Sequence, residues 1–168
     1  FSPGALRRVF TAKDRPAEKP LLVLIATLNQ LSGLVDHIPK AAELLIQSFW
    51  PGQLTVVFQA RSDLSPVLTA GSGKIGVRLA AHPVAAALVR TCDIPISGTS
   101  ANLSGATGCA TLSELDLRLK SQVDIILDAG TLSGGAPSTV VDATVHPVWV
   151  IREGAITRQQ IFAVLDDQ

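Results

Sequence analysis

The chain has 168 residues, of which 47% are apolar and 17% charged, and its 14 basic side chains balance 14 acidic ones. This composition indicates a folded globular domain with a sizeable core and excludes a disordered chain. Zero net charge excludes a strongly basic partner-binding tail, so nucleic-acid contact would need a local patch. With no signal peptide and no apolar run of about 18 residues, membrane association is not expected.

The first part of the chain predicts helices alternating with strands. Ser2 and Pro3 are typical of an N-cap and a first helical position, and this helix is expected to stop before Pro16. Arg78 lies opposite the apolar face of its predicted strand, so its side chain can face a cavity. The elements predicted after the first helix are a strand at 21–26, a helix at 39–50, strands at 54–60 and 74–80, and a helix at 83–90.

The second part continues the alternation without repeats or a linker. A polar loop of small residues at 97–108 follows a short strand, and Thr111 is the expected cap of the next helix. Thr157 begins a last amphipathic helix. The remaining predicted elements are strands at 94–96, 123–127, 139–141 and 148–151 and a helix at 112–120. We therefore expect one α/β domain over residues 1–168, built on a mixed sheet.

Two cysteines, Cys92 and Cys109, stand without a second pair. Their number and spacing favour free thiols in a reducing cytosol, with a disulfide or a metal pair as alternatives. A cytoplasmic location is therefore expected. The chain has no methionine and opens on a helix start at Phe1, so we also expect a fragment or a mature form that lacks its first element.

The sequence contains partial matches to several catalytic motifs but no complete one. Gly71 to Lys74 resembles the end of a phosphate-binding P-loop, but Leu68 and Ile75 replace its first glycine and its hydroxyl residue. The segment 98–102 lacks the second glycine of a nucleophile elbow, which disfavours a serine hydrolase. The three histidines have no metal-ligand spacing. The simpler predictions are that residues 71–74 form a turn between strands and that the histidines lie in loops.

Basic and small polar residues gather instead at the ends of elements. Lys13 and Arg15 flank one residue where the first helix stops, so they could clamp a polyanion, although a solvated helix end also fits them. Ser100 and Asn102 lie in the small-residue loop, where backbone N–H groups can approach a phosphate. A capped turn explains this second pair equally well.

These segments belong to an ordered series that spans most of the chain. Its members are Lys13-Asp14-Arg15-Pro16, Lys19-Pro20-Leu21, Phe49-Trp50-Pro51-Gly52-Gln53-Leu54-Thr55, Gly76-Val77-Arg78, Ser100-Ala101-Asn102-Leu103-Ser104-Gly105, Ser138-Thr139-Val140-Val141-Asp142 and Arg152-Glu153-Gly154. The series resembles the YrdC/TsaC family, and its F-W-P-G-x-L-T and S-A-N-x-S-G strings are the most specific.

The resemblance implies a twisted mixed sheet beside a positively lined cavity. It implies synthesis of threonylcarbamoyl-adenylate and pyrophosphate from L-threonine, bicarbonate and ATP, with Mg²⁺ arriving on the ATP. A partner transferase would then modify adenosine 37 of tRNA. The resemblance assigns ATP contacts to Lys13, Arg15, Lys19, Ser100, Asn102, Gly108 and Arg152. It assigns threonine contacts to Arg78, Gly98 and Ser138. It implies no catalytic side-chain base.

The sequence also departs from the family pattern. A P-T-D-T-x-Y-G-L strand of the family, which contributes to the threonine site, has no counterpart, Gln53 replaces a proline, and Leu24 stands where some members have a threonine-contacting histidine. We therefore expect this polypeptide to bind ATP better than threonine and to release little pyrophosphate in a threonine-dependent reaction. Two other functions remain open: the carbamoyl-adenylate-forming domain of a hydrogenase maturation protein, and a non-catalytic module that binds tRNA or double-stranded RNA.

Overall fold

Six strands form one mixed sheet in the computed structural model, which describes residues 1–166. The strands are β1 (Leu22–Ile25), β2 (Leu54–Gln59), β3 (Lys74–Leu79), β4 (Ile96–Gly98), β5 (Thr139–Asp142) and β6 (Trp149–Arg152). Their order is β4-β1-β3-β2-β5-β6, in which β1 pairs parallel to β3 and β2 parallel to β5. The other three pairs are antiparallel. The predicted α/β class with a mixed sheet is confirmed.

Residues 1–166 also form six α-helices and two 3₁₀ turns, of which the first helix precedes β1 and the last follows β6. The helices are α1 (Pro3–Ala12), α2 (Lys40–Phe49), α3 (Pro66–Thr69), α4 (Pro83–Cys92), α5 (Leu117–Lys120) and α6 (Arg158–Asp166), and the 3₁₀ turns are Leu28–Gly33 and Leu112–Glu114. Ser2 is the N-cap of α1, but its side chain makes no capping hydrogen bond. Thr157 and Gln160 cap α6 reciprocally, because each side chain accepts the other's backbone N–H. Within residues 1–166, no helix has the length and apolarity that a membrane crossing needs.

The core lies on one face of the sheet. Alternate residues of the strands point to this face, and Val23, Val56 and Val77 are completely buried there. Leu45 of α2 and Ile161 of α6 pack in the same cluster. Burial of each such side chain stabilises the fold by about 1.5–3 kcal/mol. The opposite face, here called the polar face, carries Thr55, Lys74, Arg78, Ser138 and Asp142.

Two predicted elements are wrong. Residues 123–127 do not form a strand: they pair with no strand among the described residues, and Ile125 is 79% exposed. Residues 112–120 do not form one helix, because Leu115 is extended and the Asp116 side chain accepts the Arg118 N–H to begin a new, shorter helix. Thr111 precedes the 3₁₀ turn without a capping bond.

Smaller differences concern boundaries. The strand predicted at 94–96 lies at Ile96–Gly98, since Gly98 and Ser97 pair with Leu22 and Val23 of β1. The predicted polar loop therefore begins after Gly98. The 3₁₀ turn at Leu28–Gly33 and the short helix α3 were not predicted, because each is too short to show a helical repeat.

Candidate functional site on the polar face of the sheet

The end of α1 places two cations on either side of a tight reversal. Asp14 has a left-handed φ of 47°. The Arg15 N–H donates to the Phe10 carbonyl at 2.9 Å, and the Asp14 N–H donates to the Thr11 carbonyl at 3.3 Å. These two bonds close the helix as in a Schellman motif, where the left-handed residue is usually glycine. The reversal sends Lys13 and Arg15 to different partners.

Lys13 is bound to the loop that follows β4. Its side chain is almost fully buried, and its ammonium donates hydrogen bonds to the carbonyl oxygens of Ser100 and Asn102. The Lys13 carbonyl in turn accepts the Ser104 N–H at 2.9 Å. Burial lowers the pKa of Lys13, and the nearby Arg15 charge lowers it further. The structure thus brings the predicted K-x-R and S-x-N segments together through the lysine.

Arg15 folds over the turn that leads into β1. Its Nε donates to the Lys19 carbonyl at 3.1 Å and its Nη2 to the Pro20 carbonyl at 2.8 Å. Within residues 1–166 its Nη1 makes no hydrogen bond, and burial lowers the pKa of the guanidinium. Lys19 is exposed and forms no ion pair in the described part of the chain. Both side chains therefore keep donors for an anion.

The loop after β4 carries polar groups without partners. The Asn102 amide nitrogen donates to the Leu103 and Ala106 carbonyls, but its Oδ1 is buried without a partner, as is the Ser104 hydroxyl oxygen. Cys109 donates its thiol hydrogen to the Ala101 carbonyl at 3.2 Å. Gly108 is exposed and has open space around it. The loop is therefore held by its own hydrogen bonds, and the two side-chain oxygens without partners are buried inside it.

A row of residues crosses the sheet from β3 to β6 on the polar face. Arg78 pairs with Leu24, Thr55 with Val140, and Val140 with Arg152. Val56 pairs with Val77 in the antiparallel β2–β3 ladder, and extending this register by one residue places Thr55 opposite Arg78. Because neighbouring strands lie about 4.8 Å apart, the Cα atoms of Arg78 and Arg152 are about 14 Å apart. Two long guanidinium side chains can bridge this gap and hold one ligand between them.

Arg78 is the less restrained of the two arginines. Its side chain makes no hydrogen bond or ion pair with any other residue in 1–166, although it is partly buried. Burial lowers its pKa, and repulsion from Arg152 adds to this effect. A partly desolvated cation without a partner is unfavourable in the free protein. An anionic ligand would remove that cost.

A β-bulge aims Arg152 at the site. Val141 pairs with Val150 and Val140 with Arg152, so Ile151 is left over. In regular pairing Arg152 would share the core face with Val150, and the bulge turns it to the polar face. There its guanidinium donates to the Ser138 carbonyl at 2.7 Å and to the Ser138 hydroxyl at 3.2 Å. The buried hydroxyls of Ser138 and Thr55 share a further hydrogen bond of 3.1 Å.

Two glycines allow close approach around this row. A Cβ at Gly98 would lie 3.0 Å from the Leu24 side chain, which also places Gly98 on the polar face. A Cβ at Gly154 would lie 2.1 Å from the Pro137 carbonyl oxygen, so only glycine fits against the segment that presents Ser138. Thr139 holds this segment, since its hydroxyl accepts the Gly154 N–H at 2.9 Å.

The sequence analysis assigned no role to Thr55, Thr139 and Gly154. The available signal was their position inside the motifs that carry the family resemblance. Their contacts join different strands and therefore cannot be derived from one segment.

The structure brings the predicted residues together in two groups. Lys13 lies with Ser100 and Asn102, and Arg78 lies with Arg152 and Ser138. A cavity of about 630 Å³ beside Lys13 and Ser100 is lined mainly by apolar residues of α1 and 115–126 and does not include the arginine row. Convergence of all these residues on one cavity stays a prediction.

Comparison with known proteins places this arrangement in a family. The profile of the Sua5/YciO/YrdC family, described as telomere recombination, matches residues 1–154. The chain belongs to the Sua5/YciO/YrdC family. It is 35% identical over 164 residues to a threonylcarbamoyl-AMP synthase of Pyrococcus abyssi and 37% identical over 162 residues to one of Bacillus subtilis. These matches cover 98% and 96% of this chain but 48% and 47% of the relatives, so the chain spans about half the length of these relatives.

Solved structures of the Sua5/YciO/YrdC family agree with the fold. P. abyssi Sua5 complexed with L-threonine matches with a TM-score of 0.92 at 35% identity, over 98% of this chain and 48% of that one. HypF in its phosphate- and nucleotide-bound form matches with a TM-score of 0.77 at 20% identity, over 93% of this chain and 25% of that one. At such identity the HypF likeness concerns the fold alone.

Proposed function

We propose that this chain carries the active site of a threonylcarbamoyl-AMP synthase, which forms threonylcarbamoyl-AMP and pyrophosphate from L-threonine, bicarbonate and ATP. The observation that carries the proposal is the arginine row. Arg78, whose guanidinium has no partner within residues 1–166, lies in one row with Arg152, which is fixed to Ser138. Relatives that the chain matches over almost its whole length have this name, and one similar structure is a complex with L-threonine.

The proposed reaction needs positioning and fixed charge more than a side-chain base. The amine of threonine and bicarbonate give a carbamate and water. A carbamate oxygen then attacks the α-phosphorus of ATP, and the bond to the bridging oxygen breaks as pyrophosphate leaves with its electron pair. Negative charge grows on the leaving group, and fixed cations stabilise it because they need no reorganisation during the step.

The two groups of site residues divide the substrates. We assign the ATP phosphates to the α1 end and the loop after β4, with Arg152 as a further nucleotide contact. We assign the threonine carboxylate to Arg78, which can bind it bidentately, and further threonine contacts to Ser138 and Gly98. Leu24 lies beside Arg78 on the neighbouring strand, which fits a position that lines the amino-acid site. The nucleotide contacts of this proposal are Arg15, Lys19, Ser100, Asn102 and Gly108, and Lys13 lies beside them with its ammonium bound to the loop.

The residues of the site do not fit a metal held by the protein. Their side chains are arginine, lysine, hydroxyl and amide groups, and residues 1–166 contain no cluster of three or more histidine, cysteine, aspartate or glutamate side chains that could hold a metal ion. We propose that Mg²⁺ arrives on ATP and is held by phosphate oxygens and water. The product would pass to a transferase that modifies tRNA in the cytoplasm, and the two free thiols agree with a reducing compartment.

Pyrophosphate release is the test. We expect release that requires both threonine and bicarbonate, together with a product of the mass of threonylcarbamoyl-AMP. Arg152→Ala should reduce the rate, whereas Arg61→Ala removes an exposed arginine bound to Asp63 and should not. Release with carbamoyl phosphate but not with threonine would favour chemistry of the hydrogenase-maturation type. ATP binding without release under any of these conditions would overturn the proposed activity.

A further inference from the structure

Lys13 occupies an unusual place for a side chain expected to hold a polyphosphate. Only 4% of it is exposed, and its ammonium lies between the end of α1 and the loop after β4. It donates to two loop carbonyls, those of Ser100 and Asn102. The loop also returns to the lysine through the bond from the Ser104 N–H to the Lys13 carbonyl. Lys13 therefore links the two predicted binding segments by three hydrogen bonds.

These bonds decide where the neighbouring N–H groups point. In a trans peptide the C=O and the following N–H lie on opposite sides of the chain. Because the Ser100 and Asn102 carbonyls turn toward the ammonium, the N–H groups of Ala101 and Leu103 point away from it. Neither N–H donates a hydrogen bond to any acceptor in residues 1–166. Ala101 is exposed and Leu103 is 8% exposed, and backbone N–H groups without an acceptor are suited to an anion that reaches them.

We propose that Lys13 is a positioning residue: its ammonium holds the loop from Ser100 to Ser104 so that the N–H groups of Ala101 and Leu103, with the Ser100 hydroxyl, face the nucleotide phosphates. Lys13 itself does not contact phosphate. The inference deepens the proposed function and rests on it for the identity of the anion. Arg15 acts differently, because its hydrogen bonds go to the turn at Lys19 and Pro20.

The first test uses no nucleotide. Lys13→Met keeps the apolar stem of the side chain and removes the ammonium. Amide hydrogen exchange at Asn102, Ser104 and Ala106 should accelerate by about tenfold or more in this variant, because the loop loses two charge-assisted bonds. Arg15→Ala removes the same charge two residues away and should leave these amides unchanged. Unchanged loop exchange in Lys13→Met, with the core strands as protected as in wild type, would overturn the proposal.

The second test separates an indirect role from direct phosphate contact. ATP affinity is measured by calorimetry for Lys13→Met, Ser100→Ala and the double variant. If Lys13 acts through the loop, the double variant binds ATP about as weakly as Lys13→Met alone, because the second change removes a contact already lost. Independent phosphate contact predicts that the two fold-changes multiply, as expected for Arg15→Ala combined with Ser100→Ala. Multiplying effects for Lys13 would refute the positioning role.

A third measurement guards against simple misfolding. Lys13→Ala in the presence of n-propylammonium should regain both loop protection and ATP affinity, because the added cation supplies the missing N–H donors. Tetramethylammonium has the same charge without N–H groups and should restore neither. Equal recovery with both cations would contradict the hydrogen-bonding role. Since the loop measurements need no ligand, absence of ATP binding in wild type would reject the proposed function and leave the loop result standing.

Discussion

The guanidinium of Arg152 donates to both the carbonyl and the hydroxyl oxygen of Ser138, fourteen positions earlier in the chain. This contact exists because the bulge in β6 turns Arg152 away from the core. It fixes one wall of the proposed threonine and nucleotide sites before any ligand binds. At the other end of the row, the Arg78 side chain has no such hydrogen bond among residues 1–166 and is free to bind the ligand.

Arg78→Ala should weaken threonine binding by about tenfold or more, because a charge-assisted bidentate contact is worth about 1.5–3 kcal/mol. ATP affinity should change little. The melting temperature should stay the same or rise, since a partly buried cation without a partner is removed. Calorimetric titration with each ligand checks this. Arg78→Lys keeps the charge but not the planar fork, so an intermediate threonine affinity is expected; undiminished threonine binding in Arg78→Ala would remove Arg78 from the site.

Ser138→Ala should lower the free energy of unfolding by about 1–3 kcal/mol, because the buried Thr55 hydroxyl and one Arg152 donor lose their partner. Thr55→Val, which keeps the shape of the side chain, removes the other end of the same bond. The double variant should then lose less than the sum of the two single changes. Urea unfolding of the three variants measures this coupling, and strict additivity would show that the hydroxyl pair does not contribute as one unit.

Gly154→Ala should destabilise the protein by several kcal/mol, since its Cβ would stand 2.1 Å from the Pro137 carbonyl oxygen and the backbone would have to move. The same change at Gly33 is the matched control, because no atom lies within 4 Å of a Cβ there. Thermal unfolding compares the two. A Gly154→Ala protein as stable as Gly33→Ala would mean that the approach of the two segments is not needed.

Asp14→Gly should raise the free energy of unfolding by up to about 1 kcal/mol, because glycine adopts the left-handed conformation of this helix end without steric cost. Asp14→Ala at the same φ should not stabilise the protein, since alanine keeps a Cβ and loses the polar side chain that tolerates this conformation. Chemical denaturation of both variants checks the expected order, and a stabilised alanine variant would point to charge rather than backbone strain.

Acid sensitivity should depend on Asp142. Burial raises the pKa of this carboxyl, but hydrogen bonds from Lys74 and Thr144 outweigh burial and hold the pKa below its usual value. A lowered pKa in the folded state stabilises the protein above the unfolded value of about 4, and this stabilisation is lost as the pH falls through the lower folded value. Melting temperatures of wild type and Asp142→Asn between neutral and strongly acid pH should therefore converge at the acid end.

Much of the sheet could be predicted because burial leaves a period of two in the sequence. The predicted strands at 54–60 and 74–80 match β2 and β3 to within a residue, since their inward residues are apolar throughout. The strand predicted at 123–127 is wrong because β-branched side chains indicate that a segment favours an extended conformation, but they do not show that a neighbouring strand is there to pair with it. The helix predicted at 112–120 failed because an extended Leu115 and a capping Asp116 interrupt it.

The sequence identified candidate site residues, but the contacts between them could not be predicted from it. The motifs identified Lys13, Ser100 and Asn102 together, whereas nothing in the sequence showed that the lysine binds loop carbonyls. Likewise, Arg152 stood out as a family residue, but its direction depends on a bulge, and a bulge is a property of two paired strands. Cross-strand register is fixed by the whole sheet and therefore cannot be obtained from local patterns.

The parallel pairing of β2 with β5 has a consequence for how the protein folds. Leu54 pairs with Thr139 across a long stretch of chain, and the arginine row needs this pairing to exist at all. Pairing residues that are distant in sequence costs loop-closure entropy before the new contacts stabilise the sheet. We therefore expect the β2–β5 pairing to form late in folding. Ligand affinity is then a property of the completed sheet and of no shorter segment. The rate at which ATP or threonine binding recovers during refolding would therefore report the rate at which the sheet is completed.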